Sequence, residues 1–325
     1  MLTNQLIIGD STEVMKNFED GSIDLIITSP PYWDAVEYET GKGAWNSYES
    51  YLEKMMDIWT QCERVLRPNG KLCINTPIMP IPKKIIKNQH TRHIKNISFD
   101  MEHMILQRTS LLRYSLFIWQ KQTSKLMFGS YPYPGNLLEN NTTEFINVYV
   151  KPGKPPKFSK EQKEANKLSR AEWVDLTQQI WFMYPENVRR DKDHPAPFPS
   201  KLPGRLMRLY SYGCSENHEG EIILDPFVGT GTTCLVADLM GRRYIGIDQS
   251  EKYINLAKKR IEEADMEPPL LLVGTAKYPT KSDLIQIQEN DLESSGKKAE
   301  SKHKRKTYGR GVEKKSKEQM TLFEP

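Results

Sequence analysis

The stretch EIILDPFVGTGTT (221–233) sets two glycines, Gly229 and Gly231, between an apolar strand and the helix TCLVADLM (233–240). No other feature narrows the fold as much. Glycines at such a junction let the backbone turn tightly and approach a ligand, while the first turn of the helix offers unpaired N–H groups. The next strand, RRYIGID (242–248), ends in Asp248, 23 residues beyond Asp225. A carboxylate there can accept hydrogen bonds from ribose hydroxyls, so the unit predicts a nucleotide-containing cofactor. A nicotinamide cofactor is one rival, but its G-x-G-x-x-G signature needs glycine at 234, where this chain has Cys234. A plain helix-opening turn is the other.

The same alternation of strand and helix recurs upstream. Leu6 to Ile8 reads as a short strand leading to Gly9-Asp10, and Ser11 to Phe18 as a helix capped by Ser11 or Thr12. Ile23 to Ile27 is a second strand. In ESYLEKMMDIWTQCERVL (49–66) the apolar residues 52, 55, 56, 59, 62, 65 and 66 fall on one helical face, and Arg67-Pro68-Asn69-Gly70 stops it. Lys71 to Asn75 then forms another strand, so the expected class is α/β with parallel strands. RYSLFIWQK (113–121) and EFINVYVK (144–151) read as an antiparallel hairpin at the sheet edge. LPGRLMRLYSY (202–212) is a helix, and SEKYINLAKKRIEE (250–263) another with Ser250 as its cap. Residues 76–107 read as an irregular basic insertion. The apolar run LLLV (270–273) has no reading.

Directly after the strand IDLII stands TSPPYW (28–33). Two consecutive prolines remove two backbone donors and fix two φ angles, so the strand must stop. A rigid turn bearing a hydroxyl and two aromatic rings at the end of a strand is where open α/β sheets place ligand-binding groups. An ordinary loop with Tyr32 and Trp33 in the core is the alternative.

Charge narrows the choice of partner. The chain of 325 residues carries a formal +4, but residues 296–325 hold 10 Lys and Arg against 4 Asp and Glu, leaving the remainder slightly acidic. That tail reads as disordered. Two further stretches give a neutral body local positive charge, as a polyanion-binding groove requires. PKKIIKNQHTRHIKN (82–96) contains Lys83, Lys84, Lys87, Arg92 and Lys95 with no acid, and residues 151–170 hold seven Lys and Arg against two Glu. Cys62, Cys73, Cys214 and Cys234 are scattered, with no C-x-x-C and no His pair at ligand spacing. Neither a disulfide framework nor a metal is expected, and a reducing cytoplasm fits. No apolar run is long enough to span a bilayer.

Taken together, TSPPYW upstream and DPFVGTGTT with GRRYIGID downstream resemble the S-adenosyl-L-methionine-dependent amino-methyltransferases of DNA, in the motif order of that family's beta group. The resemblance covers nearly all of residues 5–263. It implies a circularly permuted Rossmann-like methyltransferase fold, with a mixed sheet, helices on both faces and an antiparallel edge hairpin. One domain is expected over 1–295, with 76–107 and 152–193 as target-recognition segments. It also implies S-adenosyl-L-methionine as cofactor, held by Asp10, by His194 and Phe198 of HPAPFPSKL, and by Asp225, Phe227, Gly229, Gly231, Thr232 and Asp248. Double-stranded DNA is the implied partner, with the five basic residues of 82–96 on its phosphates. A cognate restriction endonuclease acting separately stays open.

For Ser29, Pro30, Pro31 and Tyr32 the resemblance implies methyl transfer to an exocyclic base amine. The Ser29 hydroxyl and Pro30 carbonyl would accept the amine hydrogens, Pro31 would fix the carbonyl, and Tyr32 would stack on a base flipped from the duplex. Serine at position 29 resembles the cytosine-N4 type, with adenine N6 as the alternative. Attack at cytosine C5 needs a Pro-Cys thiolate, and no cysteine here follows a proline. A methyltransferase of RNA or protein amines, or a catalytically silent DNA-binding subunit, are the remaining readings.

Overall fold

A computed structural model of the chain describes residues 3–33, 47–80, 94–121, 133–135, 142–185 and 198–264. All lie in the first of two units, 1–278 and 279–325. The strands are β1 (Gln5–Ile8), β2 (Ile23–Thr28), β3 (Leu66–Pro77), β4 (Met79–Pro80), β5 (Ile94–Lys95), β6 (Leu112–Lys121), β7 (Thr143–Val150), β8 (Ile180–Met183), β9 (Ile222–Asp225) and β10 (Arg243–Asp248). The helices are α1 (Ser11–Met15), α2 (Tyr48–Val65), α3 (Ile97–Arg108), α4 (Lys160–Ala165), α5 (Arg170–Leu176), α6 (Lys201–Tyr210), α7 (Thr232–Leu239) and α8 (Glu251–Glu262).

Eight strands form one sheet in the order β1-β10-β9-β2-β3-β7-β6-β8. Neighbours from β1 to β3 are parallel, β7 is antiparallel to both β3 and β6, and β8 is parallel to β6. This mixed sheet with helices agrees with the expected α/β architecture. Seven strands therefore point their C-terminal ends to one edge, and β7 begins there.

Alternation within the strands fills two cores. Ile23, Ile26, Leu72, Ile74, Leu224, Ile245 and Ile247 pack under α1, α2 and α3. The intervening Leu25, Ile27, Cys73, Ile223, Val148 and Tyr244 pack with α6, α7 and α8. A strand buried on both faces reads as a continuous apolar run, which explains IDLII and EIILD.

Three expectations change. Asp10, rather than Ser11 or Thr12, caps α1, its Oδ1 accepting from the N–H groups of Thr12 and Glu13. Part of the supposed irregular insertion is α3, whose Ile97, Met101 and Ile105 are fully buried against α2. The hairpin of β6 and β7 is not the outermost pair, because β8 adds beyond β6, with Trp119 Nε1 donating to the Met183 carbonyl at 3.0 Å. No described helix is long and apolar enough to cross a membrane.

Candidate functional site

At the C-terminal edge of the sheet, β10 and β9 end in Asp248 and Asp225, and β1 leads through Gly9 into Asp10. The loop after β9 is drawn onto its neighbours by Val228 N–H donating to the Ile247 carbonyl at 3.0 Å and Gly229 N–H donating to Asp248 Oδ2 at 3.0 Å. Gly231 caps α7 at φ 85°, with no side-chain bond to the first turn. A Cβ at Gly231 would lie 2.6 Å from the Ala257 Cβ of α8, so helix and loop are in contact there. Arg260 of the same helix donates to the Thr230 carbonyl at 3.0 Å and to Thr232 Oγ1 at 3.2 Å, clamping the turn from behind.

The three carboxylates differ in environment. Burial pushes Asp10 up, but the Lys54 ammonium 3.1 Å away and the N–H groups of Glu13 and Thr12 outweigh it and hold the carboxyl low. Burial dominates at Asp248 and raises it, despite hydrogen bonds from the Ser250 and Gly229 N–H groups. Asp225 is 1% exposed. Its Oδ1 accepts from Thr28 Oγ1 at 2.7 Å and Phe227 N–H at 3.0 Å, and its Oδ2 from Thr233 Oγ1 at 2.6 Å. The residue thus ties the end of β2 to the glycine loop and to α7.

Burial lifts the Asp225 carboxyl to about 6, against the lowering effect of those donors. Its folded value lies above its unfolded value, so the native state binds more protons between about pH 4 and 6 and loses stability as pH rises through that window. The wild type is expected to lose about 2–3 kcal/mol relative to Asp225→Asn between pH 4 and pH 7, read from urea midpoints at each pH. Parallel pH profiles for the two proteins would refute it.

Beside this loop, β2 ends in Thr28 and the chain turns through Ser29, Pro30, Pro31 and Tyr32. The Ser29 and Tyr32 hydroxyls lie 2.6 Å apart, and Ser29 Oγ also donates to the Asn75 carbonyl at 3.2 Å. Tyr32 is buried, and its hydroxyl donates to Glu144 Oε2 at 3.2 Å. Tyr51 of α2 donates to the Pro31 carbonyl at 2.8 Å. Trp33 sits at φ 43°, a strained setting for a bulky residue, with its ring 5.1 Å from that of Tyr48. Asp225, through Thr28, joins this turn to the glycine loop.

Other expected site residues are scattered. Phe227 packs edge-on to the buried Trp59, ring centroids 6.1 Å apart, and Phe198 is half-buried against the α6–α8 core. Thr232 is buried under Arg260. Lys95 on β5 holds its ammonium 4.3 Å from the Tyr48 ring centre, a cation–π contact. His194, Lys83, Lys84, Lys87, Arg92, the tail 296–325 and LLLV (270–273) lie outside the described residues. Among the described residues no cluster of His, Cys, Asp and Glu has a metal-binding arrangement. Burial pushes the thiols of Cys62, Cys73 and Cys234 up, so none is poised as a thiolate nucleophile.

Sequence reasoning misses Asn75, Glu144 and Lys121. Asn75 Nδ2 donates to Glu144 Oε2 and, at 3.3 Å, to Tyr32 Oη, while Lys121 Nζ stands 2.5 Å from Glu144 Oε1. Asn75 Oδ1 and Thr76 Oγ1 are buried with no hydrogen-bond partner among the described residues. The available signal is an acid at the head of an otherwise apolar strand and a basic residue at the end of its hairpin partner. Pairing β7 with β3, which puts Glu144 opposite Pro77, is needed to bring them to Ser29.

The arrangement fits S-adenosyl-L-methionine, the cofactor. A glycine-lined turn leaves room for close approach, and the carboxylates at adjacent strand ends suit ribose hydroxyls and cationic groups. The N6/N4 methyltransferase family model, described as DNA methylase, matches residues 23–259. The Type II methyltransferase M.MjaI of Methanocaldococcus jannaschii is 30% identical, over 80% of this chain and 94% of that protein. M.MthZI of Methanothermobacter thermautotrophicus is 29% identical, over 81% and 78%. Among solved structures, TTHA0409 of Thermus thermophilus complexed with S-adenosyl-L-methionine superposes with a TM-score of 0.65 at 28% identity, covering 80% of this chain and 93% of that one. The cytosine-N4-specific PvuII DNA methyltransferase shares the fold, with a TM-score of 0.60 at 18% identity over 82% and 91%.

Proposed function

The chain belongs to the N6/N4 family of DNA methylases, and from that membership we propose that it methylates the exocyclic N4 of cytosine within a specific sequence of duplex DNA. The observation that carries this reading is the Ser-Pro-Pro-Tyr turn at the end of β2, tied to the glycine loop by the Thr28–Asp225 hydrogen bond of 2.7 Å. Bound S-adenosyl-L-methionine supplies an electrophilic methyl group on a sulfonium.

An exocyclic amine is a poor nucleophile, because its lone pair is delocalised into the ring. Ser29 Oγ and the Pro30 carbonyl accept its two hydrogens and hold them out of the ring plane, which localises the lone pair and aims it at the cofactor side. The prolines make the acceptors rigid, and Tyr51 steadies the turn through the Pro31 carbonyl. A base within a duplex cannot reach acceptors set at a sheet edge beside a buried tyrosine, so the target is flipped out and stacked on Tyr32. Lys83, Lys84, Lys87, Arg92 and Lys95 hold backbone phosphates, which positions the duplex without reading its sequence. Serine at position 29, by resemblance to the cytosine-N4 type, favours cytosine over adenine.

Single-molecule sequencing of DNA from a host expressing the protein tests the reading. Modified cytosines in one recurring sequence are expected. Modification confined to adenines would move the assignment to N6, and unmodified DNA would remove it.

A further inference from the structure

Glu144 lies 5% exposed at the start of β7. Its carboxylate is linked through one hydroxyl, that of Tyr32, to Ser29 Oγ. Glu144 Oε2 accepts from Tyr32 Oη at 3.2 Å and from Asn75 Nδ2, and Oε1 pairs with Lys121 at 2.5 Å. The Tyr32 hydroxyl is in turn 2.6 Å from Ser29 Oγ. An ionised carboxylate can only accept, so the phenolic hydrogen is committed to Glu144. Tyr32 Oη then offers lone pairs alone, and Asn75 Nδ2, 3.3 Å away, adds a second donor facing it. Either hydroxyl could supply the hydrogen of the short Ser29–Tyr32 contact; with the phenolic hydrogen on Glu144 it is serine's, shared with the Asn75 carbonyl. Should the serine hydrogen turn instead to the Asn75 carbonyl at 3.2 Å, it still points inward.

From this polarity we infer that Glu144 is a positioning residue: it commits the Tyr32 hydrogen, and thereby leaves Ser29 with free lone pairs as an obligate acceptor for the target amine. The inference rests on the proposal that Ser29 receives that amine. Without the carboxylate, the Tyr32 hydrogen can turn to Ser29 Oγ, 2.6 Å away. One serine lone pair is then occupied while the serine hydrogen turns to the Asn75 carbonyl, so the hydroxyl keeps a single lone pair, misdirected, for the amine. Lys121 matters to the choice of variant. Being a donor only, it would draw the Oε1 of a glutamine at 144 to itself and leave Nε2 donating to Tyr32, which inverts the chain of bonds.

Glu144→Gln tests this, with turnover, cofactor affinity and KM for duplex DNA measured on the full chain. A fall in kcat of roughly 100-fold is expected, the scale of a misplaced reacting group. Cofactor affinity and KM should stay at wild-type values. Adding Tyr32→Phe removes the misdirected donor, so the double variant should turn over faster than Glu144→Gln alone. A merely structural role would weaken cofactor binding and make the two losses add. Wild-type turnover in Glu144→Gln, or additive losses, would overturn the inference while leaving DNA methylation intact. A wild-type protein that produces no methylated nucleoside would overturn both. If Glu144→Gln fails to bind S-adenosyl-L-methionine, Glu144→Met with Lys121→Met replaces it, since no charge is then stranded. Lost turnover with cofactor affinity intact upholds the inference, and wild-type turnover overturns it.

Discussion

Replacing Ser29 by alanine is expected to lower kcat by roughly 10²- to 10³-fold, the range seen when one preorganised polar contact to a reacting group is removed. The side chain is half-buried, and its neighbours Tyr32 and Asn75 are held by other bonds, so the loss should be chemical rather than structural. Cofactor affinity should remain, because the glycine loop is anchored through Thr28 and Asp248 rather than through Ser29. Calorimetric titration with S-adenosyl-L-methionine alongside turnover separates the two. Unchanged turnover would remove Ser29 from the mechanism, and lost cofactor binding would show that the turn had collapsed.

The second large effect falls on the cofactor loop. Gly231→Ala places a side chain at φ 85° and a Cβ 2.6 Å from Ala257 Cβ and 3.0 Å from Ala257 Cα. The left-handed backbone costs about 1–2 kcal/mol for a residue with a Cβ, and the overlap adds a packing penalty of similar size. Backbone cannot move aside like the end of a flexible side chain, so α8 must shift. That helix carries Arg260 and follows directly on Asp248 and Ser250, which bind the loop and its neighbours. Cofactor affinity should therefore fall by roughly 30- to 150-fold, corresponding to about 2–3 kcal/mol of lost loop organisation. Titration of the variant at wild-type affinity would show that the loop does not need this backbone shape.

How much of this is legible in the sequence depends on the range over which the determining contact acts. The glycine loop is local: Gly229, Gly231 and Asp248 belong to one strand–helix–strand unit, and their spacing alone predicts a glycine turn drawn against the end of the next strand. Ser250 as a helix cap is local too. Asp10 is not legible as the cap, since Ser11 and Thr12 are equally good capping residues and only backbone direction decides. The helix α3 escapes a reading of the sequence because its apolar residues do not keep to one face, Phe99 and Leu106 being exposed while Ile97, Met101 and Ile105 are buried, and because its surroundings are basic. Glu144, Lys121 and Asn75 escape for a different reason. They meet Ser29 only after β3, β6 and β7 pair, and the register of that pairing is not written in any one of the three segments.

The central claim is that this turn presents cytosine N4 to a methyl donor. Its most direct test is incubation of the purified protein with S-adenosyl-L-methionine and mixed-sequence duplex DNA, followed by mass spectrometry of the released nucleosides. N4-methyldeoxycytidine is the predicted product, and its rate of formation should fall roughly 10²- to 10³-fold with Ser29→Ala. N6-methyldeoxyadenosine in its place would contradict the assignment of Ser29 to cytosine.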